Sequence, residues 1–128
     1  MIIPEIRLTL IKLSLITPYR LSYRTIEAFE PLLVEVVDAD GNAGWGEGHI
    51  SPGSSAETPE QGWAFCRSIA ATATGRDGEI LKASILDSMP SSPVAASAFM
   101  SAIDMLAGDP LLSLPAIADI ERAAVILH

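Results

Sequence analysis

The chain has 128 residues, which sets a single domain with its own core as the expectation. A net charge of −8, with only eight dispersed Lys and Arg, argues against nucleic acid and anionic membrane surfaces as partners. Hydrophobic residues reach 49% while aromatics are 5%, so the apolar content is mostly Ala, Leu, Ile and Val; this is either ordinary variation or an apolar face that meets another domain or subunit.

The first predicted strand covers residues 5–16. Ile6, Leu8 and Leu10 alternate with polar residues, and then the phase slips near residues 10–12, where a bulge or burial on both faces is expected. Residues 17–31 read as a long connection of the kind that often carries function. The second strand, Leu32–Val37, is apolar on both faces apart from Glu35, and Asp40, Gly41 and Asn42 supply a tight turn. The third strand runs from Ala43 to about Ile50, with Gly44 and Gly46 marking close backbone approach. Residues 51–56 form a Ser/Gly/Pro loop.

Three helices follow. Thr58, Pro59 and Gln61 compose a capping box for the first, which runs to about Thr74 with Gly75 as its stop. Trp63, Cys66, Ile69, Ala70 and Ala73 share its inner face. Cys66 is the single cysteine, so no internal disulfide forms, and its apolar setting reads as a core hydrophobe rather than a nucleophile. Asp77 caps a second helix to about Met89, buried through Leu81, Ile85 and Leu86 and halted by Pro90. The third spans about Val94 to Ala107, with Gly108 as C-cap and Ala95, Phe99, Ala102, Ile103 and Leu106 facing inward. Strands first and helices second define an α+β fold: a three-stranded antiparallel meander, then an antiparallel bundle of about three helices. The N-terminus lacks secretory features and the apolar runs are too short to span a bilayer, so a cytoplasmic location is the expectation.

Four ordered stretches resemble the N-terminal capping domain of the mandelate racemase/muconate lactonizing enzymes of the enolase superfamily. They are the strand and Pro loop of residues 8–18, the hairpin LVEVVDADGNAGWGE at 33–47, the helix start ETPE at 57–60, and the Ala-rich helix ASAFMSAIDMLAGD at 96–109. The usual family ending of that helix departs here to MLAGDP at 105–110. The resemblance implies a capping domain at residues 1–108. Residues 109–128 would then be a linker and the possible start of the first strand of a (β/α) barrel, at RAAVILH, 122–128.

The resemblance also implies a role. An intact member binds Mg²⁺ on its barrel and removes the α-proton of a small carboxylate substrate with a barrel Lys or His. No catalytic and no metal residue is therefore assigned to this chain. The capping domain sets specificity by closing loops over the barrel mouth; here those are residues 17–31 and about 47–56. By resemblance Tyr19, Arg20, Ser22, Tyr23, Glu47, His49 and Ile50 are the candidate substrate-binding residues. The plainer readings stand beside these: Arg20 and Arg24 as solvated loop charges, Glu47 as a loop cap or a partner across a domain boundary, His49 as a hydrogen-bonded loop residue. Glu57 and Glu60 read as favourable charges at the start of the first helix. The implied partners are a barrel domain in cis or trans and further copies of the chain in a homo-oligomer. The alternative is a non-catalytic oligomerising or binding module derived from such a domain. A small free-standing enzyme is the weakest alternative, because Asp38, Glu47 and His49 lack metal or triad spacing.

Overall fold

The computed structural model describes residues 1–112, so of the expected linker and barrel-strand start at 109–128, residues 113–128 lie outside the described residues. Seven strands and three helices are described: β1 (Ile2–Ile3), β2 (Glu5–Leu10), β3 (Leu13–Arg20), β4 (Thr25–Phe29), β5 (Leu32–Val37), β6 (Ala43–Gly48), α1 (Pro59–Ala73), β7 (Arg76–Asp77), α2 (Gly78–Ser88) and α3 (Pro93–Ala107).

The expected meander is the sheet β2-β5-β6, antiparallel throughout, with Leu8 opposite Val34 and Val34 opposite Gly46. Alternation decides its faces. Leu32, Val34 and Val36 point at the helices and are buried, while Leu33, Glu35 and Val37 lie on the other face. Arg7 sits directly across from Glu35 and donates to it at 3.2 Å, so the one charge on the central strand is paired.

Two sequence expectations are corrected. The strand predicted over 5–16 divides in two. It leaves the sheet after Leu10, where the Ile11 N–H donates to the Pro31 carbonyl, and resumes at Leu13 in a separate hairpin with β4. The phase slip explains the break: staying in register would turn Ile11 and Leu13 to the wrong face. The long connection at 17–31 is thereby mostly strand, closed by a turn in which the Leu21 N–H donates to the Arg24 carbonyl. Within this hairpin the pairing slips between Ser14 and Tyr19, so residues 15–18 bulge out and Ile16 stands fully exposed. The second correction concerns Leu86, which is 53% exposed because α2 packs through a narrow stripe of Gly78, Leu81 and Ile85.

The helix starts form as their sequences require. The Gln61 N–H donates to Thr58 Oγ1 at 3.2 Å and the Thr58 N–H donates to Gln61 Oε1 at 3.1 Å, completing the capping box. Asp77 Oδ1 accepts from the Glu79 and Ile80 amides at the head of α2. The core lies between the sheet and the helices, around Phe99, Ile103, Ile85, Ile3, Val34 and Cys66.

The packing of α3 on β6 is set by an absence of side chains. Gly44, Gly46 and Gly48 all face α3. A Cβ on Gly46 would lie 1.7 Å from the Ala98 carbonyl oxygen, and one on Gly44 would lie 2.0 Å from that of Ala102. Strand and helix backbones therefore touch directly, with the small residues of α3 making room.

Candidate functional site

The two loops picked out from the sequence converge. The tip of the β3–β4 hairpin, residues 21–24, lies against the 51–55 loop. Arg24 Nη1 donates to the Pro52 carbonyl at 3.2 Å. The Tyr23 ring rests on Gly53, where a Cβ would come within 3.0 Å of its Cε2. Gly53 also adopts φ +91°, so glycine serves both the turn and the contact. The loop closes on itself through Ser54, whose amide and hydroxyl both donate to the Ser51 carbonyl.

The candidate residues distribute unevenly over this assembly. Tyr19, Arg20, Ser22 and Tyr23 are exposed along the hairpin tip, Tyr19 opposite Ile26 and Arg20 opposite Thr25. Glu47 is exposed on the outer face of the sheet, across from Leu33 and away from α3. His49 is exposed and stacks edge-on against Phe29, with ring centres 4.9 Å apart, which ties the end of β6 to the base of the hairpin. Ile50 differs from these six: it is 6% exposed and packs against Gly62 of α1 as part of the core.

Two residues carry more of the local architecture than their sequence setting indicates. Arg24 joins the two loops, but its partner is a backbone carbonyl, which leaves no mark in the sequence. Glu57 reaches beyond the helix it precedes. Its carboxylate is buried and accepts from the amides of Val94 at 2.9 Å and Ala95 at 3.2 Å, at the start of α3.

Two groups outside the apposed loops, Asp38 and Cys66, are shifted by their local surroundings. Asp38, in the β5–β6 turn, is held below the usual carboxylate range chiefly by the Asn42 side-chain amide, with the Asp40, Gly41 and Asn42 backbone amides adding to it. Burial, with the Glu57 charge second, pushes the Cys66 thiol up to about 12, so it is inert at neutral pH. Among the described residues, no group of three or more His, Cys, Asp or Glu side chains is gathered to hold a metal ion. No helix among the described residues is long and apolar enough to cross a membrane.

A shallow groove of about 270 Å³ opens elsewhere, between the β2–β3 bend and the start of α1, with Leu10, Ile11, Lys12, Glu30 and Trp63 among its walls. None of the seven candidate residues lines it. Leu10, one of its walls, is at least half exposed, as are Leu13 and Ile16 of β3.

Sheet, helices and the two apposed loops together define an α+β domain of the kind found at the N-terminus of enolase-superfamily enzymes. No family model and no curated protein sequence matches the chain. Solved structures do. A dipeptide epimerase from Methylococcus capsulatus superposes with a TM-score of 0.71 and 28% identity, over 88% of this chain and 33% of that one. A mandelate racemase/muconate lactonizing protein from Herpetosiphon aurantiacus gives 0.65 and 28%, over 82% and 30%. The muconate lactonizing enzyme from Pseudomonas fluorescens gives 0.68 and 26%, over 86% and 31%. The fold is that of the N-terminal capping domain of the mandelate racemase/muconate lactonizing enzymes, as the four sequence stretches indicated. The chain spans about a third of the length of the structures it matches.

Proposed function

We propose that residues 1–108 are the specificity-setting cap of a Mg²⁺-dependent enolase-superfamily enzyme, a racemase, epimerase, cycloisomerase or dehydratase acting on a small carboxylate substrate. Residues 109–128 lead into its (β/α) barrel. The observation that carries this is the match to a third of a dipeptide epimerase that was crystallised with Mg and the dipeptide L-Arg-D-Lys. A dipeptide carboxylate is accordingly the substrate class to test first.

By the family resemblance, the metal and the proton-transferring groups belong to the barrel, in cis or in trans. This chain supplies a wall. In this reading Tyr19, Arg20, Ser22 and Tyr23 on the hairpin, and Glu47 and His49 at the end of β6, meet the substrate, with the buried Ile50 behind them. Tyr19 and Tyr23 present half-exposed rings that exclude water, and Arg20 offers a fork for a substrate carboxylate. The exposed Leu13 and Ile16 and the groove beside Trp63 form the apolar surface that a barrel, or a further copy in a homo-oligomer, would cover.

Reconstitution tests the reading. The chain, mixed with its cognate barrel, is expected to associate at micromolar concentration and to restore Mg²⁺-dependent exchange of the substrate α-proton with deuterated solvent. Absence of association at that concentration overturns it.

A further inference from the structure

The Glu57 carboxylate points to an unexpected place. Glu57 lies just before α1 and is 3% exposed, yet both its oxygens accept from amides in the first turn of α3, Val94 at 2.9 Å and Ala95 at 3.2 Å. The nominal cap of α3, Ser92, makes no side-chain bond to the helix. A buried carboxylate persists only where its charge is met; here two amides and the positive end of a 15-residue helix meet it.

The same residue closes a loop. Ile50 and Glu57 bound the 51–56 segment. Ile50 is buried against Gly62 of α1, and Glu57 is fixed to α3. Between them Ser51 is half-buried and residues 52–56 are exposed. The far side of the segment holds the hairpin tip through Arg24 on Pro52 and Tyr23 on Gly53. An amide-bound carboxylate at the base of the loop thus sits at the root of a chain of contacts that ends at residues 21–24.

We infer that Glu57 is a positioning residue: its bond to α3 sets the 51–56 loop, and through Pro52 and Gly53 sets the hairpin tip. A cap supplied by Ser92 would finish the helix alone. A cap supplied by Glu57 finishes the helix and anchors the loop in one contact. The inference rests on reading the two loops as the substrate-facing wall, but it is tested without barrel or substrate.

The test is amide hydrogen exchange on the chain itself. Two amides report on the loops: Ser54, which donates to Ser51, and Leu21, which donates to Arg24. In Glu57→Gln, which keeps the size but has one acceptor oxygen fewer, both are expected to exchange about tenfold faster. Adding Ser92→Asp supplies a local cap for α3. The double variant is expected to regain the melting temperature while Ser54 and Leu21 stay fast. Recovery of both, or wild-type exchange in Glu57→Gln, overturns the inference. Should the Gln variant not fold, Glu57→Asp keeps the charge on a shorter stem. The resonances of residues 51–56 and 21–24 should then move while those of β5 hold; unmoved loop resonances overturn it equally. A failed reconstitution leaves this result standing, and a failed tether leaves the capping role standing.

Discussion

Glycine positions on this chain carry unequal weight, and substitution separates them. An alanine at Gly46 would press its methyl into the Ala98 carbonyl, with no flexible side chain to yield. The expected loss is about 3 kcal/mol or more, read as a drop in the urea midpoint. At Gly41 nothing lies within 4 Å and only the φ of +84° is at stake, so alanine there should cost about 1–2 kcal/mol. Cys66 gives a second residue-level check. With its thiol pushed up to about 12, the thiolate is roughly one part in ten thousand at pH 8, and a disulfide reagent should label it only after unfolding. Asp38 gives a third. Its folded pKa is lowered chiefly by the Asn42 side chain, so its contribution is present above the unfolded value near ~3.9 and is lost as pH falls through the folded one. Asp38→Asn should flatten the acid limb of a stability–pH curve and leave its shape unchanged above pH ~5. The Asp-Gly turn and the capping box were legible in sequence, since they act over a few positions; the glycines at 44 and 46 marked a close approach but not its partner, α3. Glu57 was not legible, because its partners lie 37 and 38 residues away and are backbone amides.

Among the elements, the β3–β4 hairpin stands apart. Its strands pair with each other rather than with the three-stranded sheet, and a lone two-stranded hairpin is marginal in water. Ile26, at 3% exposure, and the Phe29–His49 contact hold its base, and Arg24 on Pro52 and Tyr23 on Gly53 hold its tip. Its amides should therefore exchange ahead of those in β5 and β6. Ile16→Thr should change the stability of the chain by less than about 0.5 kcal/mol, because the side chain is already in solvent. The same change should weaken association with a barrel if that surface is covered in the complex, which titration of the two variants would show. The hairpin escaped the sequence reading for a physical reason. Ile11, Leu13 and Leu15 alternate with Lys12 and Ser14 and so read as the end of the first strand, while the slip between Ser14 and Tyr19 erases the two-residue period beyond them. β5 and β6 had that alternation or a strong turn between them, and α1, α2 and α3 had caps and stops; those elements were placed within a few residues of where they lie.

For the molecule as a whole, the half of the sequence rich in Ala forms one wall of a core and the strand-rich half forms the other. The arrangement leaves apolar side chains on the hairpin and beside the Trp63 groove in solvent while the chain carries a net charge of −8. Charge of that size opposes close self-approach at low salt and is screened as salt rises. Light scattering across a salt series should therefore show any self-association growing with ionic strength; a monomer at every salt would remove the oligomerising-module alternative.

The backbone-on-backbone seam between β6 and α3 has one more consequence. Voids in a packed protein arise where side chains of mismatched shape meet, and pressure unfolds a protein by eliminating them. A seam with no side chains on the strand side has few such voids to give up. Compression should act first on the groove at the β2–β3 bend and on the hairpin, and should leave the strand-to-helix spacing almost unchanged. High-pressure spectra that resolve Ala98 and Ala102 separately from Leu10 and Trp63 would make the two parts visible in a single titration.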